Sequence, residues 1–326
     1  MAKFFNGFLV WFVPGLALLI AIVALLFGSA ATGPTGMLIA SLAMLALIGA
    51  VFSSVHHAEV IAHDVGEPFG TLVLTVAVTV IEVALILSIM LAGEGSATLT
   101  RDTVFAVLMV VCNGLVGLCI IVGGFRYGEQ GFRVPGAISY LIVLMPLATL
   151  TLILPAFTTS EIGPYYTRQQ LAFVGVATLV LYSVFLYVQT VRHRDFFIPG
   201  PPSDQGTDPE PAVRATEFWW SSVLLIIALV AVVLLAKSLG KPITQLVQAV
   251  DAPIAAVGLF VAILVLLPES VAALRAARRN ELQKSLNLAL GSSLASIGMT
   301  IPTVGALSVV LGQPLALGLE PRDIVL

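Results

Sequence analysis

Two carboxylates stand where an apolar chain has no ordinary use for one. Between Glu67 and Glu94 the only ionisable residue is Glu82, and between Asp251 and Arg275 the only one is Glu269. Every other Asp or Glu falls in or beside a stretch that reads as a loop. Carrying an acid to the bilayer centre costs on the order of 2.5 to 3.5 kcal/mol on insertion scales, so such side chains turn toward the interior of a helix bundle. There they bind protons or cations, or serve only structure by pairing with a neighbouring helix or reaching for the interface.

Hydroxyl groups accompany both acids. Thr71, Thr75 and Thr79 precede Glu82, and at about 100° per residue the four fall within roughly 80° of arc, one oxygen-rich stripe. Ser292, Ser296, Thr300 and Thr303 form a second stripe, with Gly291 and Gly298 permitting close helix approach. Such stripes also arise from ordinary helix packing. Pro268 directly precedes Glu269, where it removes a backbone donor and disfavours a straight helix, and carbonyls freed at such a break can ligand a cation. His56, His57, His63, Asp64 and Glu67 gather where the second apolar run ends. Imidazole titrates near neutrality, so this group reads as a pH sensor or gate, or else as a solvated polar turn.

Elements spanning a bilayer must hold these groups. The 326 residues are 59% hydrophobic and 10% charged, a balance suited to lipid rather than water. Apolar runs of about 20 residues match a hydrocarbon core of about 30 Å as helices. They lie near 8 to 29, 36 to 55, 69 to 92, 103 to 124, 137 to 157, 171 to 190, 218 to 238, 252 to 273 and 286 to 312. The net charge of -3 gives no reason to expect nucleic acid as a partner; the partner is the bilayer. Cys112 and Cys119 share one side of one helix, so no disulfide is expected between them.

With a cytoplasmic N-terminus, Lys3, Arg126, Arg133, Arg192, Arg194, Arg214, Arg275, Arg278, Arg279 and Lys284 lie inside. Arg101, Arg168, Lys237, Lys241 and Arg322 lie outside, and this excess of inside cations favours that orientation. The Pro-, Gly- and acid-rich stretch 191–217 reads as a flexible cytoplasmic linker. Residues 1–35 form an extra N-terminal helix, 36–190 a first repeat and 218–326 a second. The third span then runs outward and the eighth inward, so Glu82 and Glu269 are counterparts on antiparallel helices.

At these residues the chain resembles the calcium/proton antiporter family of the calcium/cation antiporter superfamily, in particular its bacterial ChaA type. The family's first motif, Gly-Glu followed by a Gly-rich helix opening and a helix glutamate, reads here as GEPFGTLVLTVAVTVIEVALI from Gly66 to Ile86. The second, a Pro followed by a helix glutamate and further on Gly-Ser-Ser, reads LLPESVAALRAARRNELQKSLNLALGSSLASIGMTIP from Leu266 to Pro302. The resemblance implies that Glu82 and Glu269 are ion-binding, that Gly291, Ser292 and Ser293 are the Gly-Ser-Ser, and that Asn113 takes the Asn of a Ser-Asn pair. The wider family's Asn before each glutamate is absent from VTVIE and LVLLPE. The family's second half carries two more spans after the ninth, so the second repeat is expected to be incomplete.

The expected fold is therefore an all-α polytopic membrane protein of about nine transmembrane helices in two inverted repeats of five, the second truncated. The expected function is exchange of Ca2+, with Na+ or K+ as further substrates, for H+ across the inner membrane, without a cofactor. Ca2+ takes six to eight oxygens; two glutamates supply up to four, and Asn113, Ser292, Ser296, Thr79, carbonyls near Pro268 and water supply others. Burial favours the protonated acid, so cation and protons compete for one site. A monovalent Na+ or K+/H+ antiporter is the alternative, since the same oxygens accept those ions. A channel and an intramembrane hydrolase are weaker rivals: no histidine lies mid-span to activate water, and the chain is not expected to be an enzyme.

Overall fold

The structure, a computed structural model, describes residues 2–27, 33–66, 69–91, 97–197, 215–249, 251–253 and 255–325. They are helical nearly throughout. We number the helices α1 (Ala2–Phe27), α2 (Pro34–Val65), α3 (Phe69–Leu91), α4 (Leu99–Tyr127) and α5 (Val134–Phe157). The chain continues through α6 (Arg168–Arg192), α7 (Ala215–Ala249), α8 (Ala255–Ala277), α9 (Leu282–Leu311) and a short α10 (Pro321–Ile324). Among the described residues, α2 to α9 supply eight helices long and apolar enough to cross a bilayer, and α1 contributes the shorter apolar stretch Trp11–Phe27. A segment in lipid must satisfy its backbone internally, so each long apolar run becomes one helix. Among the described residues the only extended pairing is an isolated bridge between Tyr165 and Ala316.

Two helices outrun their sequence-derived ends. α2 reaches Val65 instead of ending near residue 55, and α7 reaches Ala249 instead of ending near 238. Both added stretches contain polar residues that read as loop. Their buried positions nevertheless continue the helical spacing: Ala58 and Ile61 on α2, Leu239 and Ile243 on α7. Residues 198–214, most of the expected linker, lie outside the described residues.

The chain forms two compact units. In the first, α2 packs on α1, α3 and α7, and α7 also contacts α1 and α3. Ala58, Ile61, Ala77 and Leu225 form an apolar cluster there, flanked by Val73, Leu74, Phe218 and Leu229. The turn between α2 and α3 explains the glycines of the first motif. Gly66 ends α2 at φ 73°, and Gly70 abuts the Ala62 carbonyl so closely that a Cβ would collide with it.

The second unit holds α4, α5, α6, α8 from Gly258 onward, α9 and α10. Here α9 packs against α4, α5 and α6. Each of α4, α5, α6 and α9 contains a π-helical stretch: Val110–Leu115, Thr149–Ile153, Val188–Arg192 and Ser296–Thr300. α6 opens on a capping box in which Thr167 and Gln170 exchange side-chain and backbone hydrogen bonds at 3.2 and 2.9 Å.

Candidate functional site

Glu82 lies on α3 in the first unit and is 1% exposed. The turns before it carry buried Thr75 and Thr79, and the Thr79 hydroxyl donates to the Thr75 carbonyl at 2.8 Å. That back-bond leaves the Thr79 oxygen its lone pairs, so it can still accept a hydrogen bond or face a cation. Ile81, Leu85 and Ile86 around the acid are buried and apolar. The Thr71 side chain lies outside the described residues.

Glu269 belongs to the second unit. It is partly buried on α8, one carboxylate oxygen shielded from solvent, with buried Pro268 before it. Pro268 lies within α8, which remains α-helical from Ala255 to Ala277. A proline within a helix still deprives the carbonyl four residues earlier of its partner, so the freed acceptor is that of Leu264, one turn before the acid. Neighbouring helices and local adjustment sustain such a helix in a membrane protein.

Asn113, Ser292, Ser293 and Ser296 are also in the second unit. Asn113 sits in the π-helical stretch of α4, which packs against the first half of α9. It is exposed, its amide nitrogen 3.8 Å from the Met109 sulfur. Ser292 is partly buried, whereas Ser293 is fully buried and donates to the Leu290 carbonyl at 2.9 Å. Ser296 and Thr300, both buried, open and close the π-helical stretch of α9. Helices α4 and α9 thus both depart from α geometry where the sequence predicts ligands, a deviation frequent at functional sites. Gly298 is the close-approach position: a Cβ there would lie 2.8 Å from Cβ and Cγ of Tyr182.

The sequence-predicted ligands therefore divide between the units, Glu82 and Thr79 in the first, Glu269, Asn113, Ser292, Ser293 and Ser296 in the second. The histidines are not in a turn. His56, His57 and His63 all lie on α2; His57 is buried, its ring 6.4 Å edge-on from Trp11 and 5.5 Å from His56, while Trp11 also meets Trp220 at 6.3 Å. Glu67 lies outside the described residues. Among the described residues no three of His, Cys, Asp and Glu gather as a metal-ligand group.

Sequence reading missed two features of the second unit. Arg101, read as an outside loop cation, is buried at the start of α4, paired with Asp102 at 2.9 Å and donating to the Gly318 carbonyl at 3.0 Å. A polar seam also ties loops together. The Gln283 side chain accepts from the Arg133 backbone at 2.6 Å and donates to Asn287, which donates to the Phe197 carbonyl. The polarity of Gln283 and Asn287 was visible, but nothing in the sequence separates a buried amide from a solvated one at a span end.

The sequence pattern of the sodium/calcium exchanger protein family matches residues 34–191 and 220–324. A Sinorhizobium fredii protein named as an ionic transporter, y4hA, is 49% identical over 286 residues, 86% of this chain and 76% of that protein. The sodium-potassium/proton antiporter ChaA of Escherichia coli is 34% identical over 308 residues, 93% of this chain and 83% of that protein. The crystal structure of the Ca2+/H+ antiporter protein YfkE superposes with a TM-score of 0.69 at 14% identity, covering 97% of this chain and 87% of that one, so the two share a fold. Fold, motifs and similarity agree: the chain is a multi-pass membrane protein and belongs to the sodium/calcium exchanger protein family.

Proposed function

We propose that this chain exchanges Ca2+, with Na+ or K+ as further substrates, for H+ across the inner membrane, its N-terminus cytoplasmic. The observation that carries this reading is Glu82, a carboxylate 1% exposed inside a membrane-spanning helix, with Glu269 its counterpart in the other repeat. A carboxylate withdrawn from water needs a positive partner, and protons and a metal cation are alternative partners for the same oxygens. Occupancy by one excludes the other. If the site opens to one side at a time, a proton gradient drives the cation outward. Asn113, Ser292, Ser293, Ser296 and Thr79 complete the ligand set in this reading, and the Leu264 carbonyl adds a backbone oxygen. No resident cofactor is required. The histidines of α2 adjust access with pH.

A second reading is Na+ or K+/H+ exchange without Ca2+. The Escherichia coli relative at 34% identity carries sodium and potassium in its name, and this chain lacks the amide ligands before each glutamate that would help to fill a Ca2+ shell. Purified protein in proteoliposomes with an imposed pH gradient, supplied with Ca2+, Na+ or K+ in turn, separates the two. Proton flux driven by Na+ or K+ but not by Ca2+ selects the second reading, and unchanged exchange by Glu82→Gln and Glu269→Gln protein overturns both.

A further inference from the structure

Helices α4 and α8 touch at both ends. At their beginnings Gly258 of α8 lies against the first turn of α4, so that a Cβ would fall 2.8 Å from the Asp102 carbonyl carbon and the Thr103 nitrogen. At their ends the Tyr127 hydroxyl donates to the Arg278 carbonyl at 2.9 Å, and Gln130 donates to the Ala277 carbonyl at 2.9 Å. The two helices therefore run in the same direction. Asn113 follows Asp102 by eleven residues and Glu269 follows Gly258 by eleven. At about 1.5 Å per residue, both ligands stand roughly 16 Å beyond the same junction, at one depth.

The α4 side of that junction is anchored to the strap that follows α9 by Arg101. Its guanidinium pairs with Asp102 at 2.9 Å, the two side chains 10% and 11% exposed, and its Nη1 donates to the Gly318 carbonyl at 3.0 Å. Asp102 in turn accepts from the Thr98 hydroxyl at 2.8 Å. Gly318 lies in a buried strap, Leu315–Leu319, bonded by backbone to Ala97, Pro164 and Leu152. The first turn of α4 is thus locked between the strap on one side and α8 on the other. Buried charges demand such complete pairing, and a broken pair leaves an uncompensated charge.

We propose that Arg101 is a positioning residue for ion binding: it locks the first turn of α4 and so sets the depth of Asn113 against Glu269. This rests on the reading of those two residues as ligands. Arg101 itself touches no ion. It lies about 18 Å along α4 from Asn113 and acts through the helix.

Exchange kinetics of the full chain in proteoliposomes test the proposal. Arg101→Ala is expected to raise the apparent KM for the cation on the order of tenfold with the maximal rate changed far less, and to lower the melting temperature because it strands the buried Asp102. Arg101→Lys, which keeps the charge and one donor, recovers part of the affinity. Gly258→Ala, on the other helix, gives the same KM change, and the double variant is no worse than either single one because the register is lost once. An unchanged KM, or additive effects on KM in the double variant, overturn the proposal. A second measurement does not depend on transport. Spin labels at the exposed positions Leu118 of α4 and Ile263 of α8, with Cys112 and Cys119 replaced by Ala, report the separation of the helices. Arg101→Ala shifts or broadens that distance if the lock acts, and an unchanged distribution overturns the proposal. A wild type that exchanges no cation while the spin-label distance shifts refutes the assigned function, not the lock.

Discussion

The Tyr127 hydroxyl donates a 2.9 Å hydrogen bond to the Arg278 carbonyl, so the end of α4 holds the turn that leaves the Glu269 helix. Gln130 reinforces it with bonds to the Ala277 carbonyl and the Asn280 side chain. The Ala277 carbonyl also accepts from the Asn280 backbone at 3.2 Å, so the side-chain bonds add to the turn that closes α8. Removing the Tyr127 hydroxyl should cost about 0.5 to 1.5 kcal/mol. Thermal unfolding of Tyr127→Phe in detergent checks this, and a melting temperature equal to wild type refutes it.

Gln283 makes a costlier target. Buried within the second unit, it accepts from the Arg133 backbone and donates to Asn287. Gln283→Leu strands both partners, and a stranded buried group costs about 1 to 3 kcal/mol. The expected result is a lower melting temperature with the cation KM near wild type, since Gln283 is not a proposed ligand.

Gly298 lies under Tyr182 with no room for a side chain. Gly298→Ala should destabilise by about 1 to 3 kcal/mol through overpacking, and Tyr182→Leu in the same chain should relieve part of it. Equal stability of wild type and Gly298→Ala would mean that α6 and α9 separate at no cost.

Tyr166 supplies a pH signature outside the spans. Its hydroxyl donates to the Leu150 carbonyl at 2.6 Å, and burial pushes its pKa up from 10 to about 12. The folded chain therefore holds the proton more tightly than the unfolded one. The associated stability is fully present below pH 10 and is lost as pH rises through about 12. Melting temperatures across that window should fall for wild type with a component that Tyr166→Phe lacks. Identical alkaline profiles would exclude this tyrosine as the source.

For the acids themselves, Glu82→Gln and Glu269→Gln should each reduce proton-coupled exchange by at least about tenfold, while folding survives because a neutral amide is easier to bury than a carboxylate. In wild type the cation KM should rise as pH falls, by up to about tenfold per pH unit for each proton that must leave. A KM flat in pH would show that proton and cation do not share a site.

Glu82 and Glu269 were legible from the chain alone, because an isolated acid in an apolar run is conspicuous whatever surrounds it. The helices were legible for the same reason: lipid leaves a long apolar segment one way to satisfy its backbone. The glycines of the first motif were visible as letters, but that Gly70 abuts the Ala62 carbonyl required coordinates. Helix ends were less legible, since a polar residue at the edge of a span belongs equally to a loop or to a further turn. For α2 and α7 the packing of Ala58, Ile61, Leu239 and Ile243 decided for the helix, which placed His57 against Trp11 instead of in a turn.

Sequence by itself determined which acids stand alone in apolar helices and where along those helices they fall, since spacing along a helix is a local property set by covalent geometry. Tertiary structure alone decided that Pro268 leaves α8 unbroken, that Arg101 is buried and not a loop cation, and that α4 and α8 meet at Asp102 and Gly258. The physical reason is common to all three. A kink, a buried charge and a close approach depend on atoms contributed by residues distant in the chain, such as the Gly318 carbonyl on Arg101, and no local pattern encodes which partner arrives.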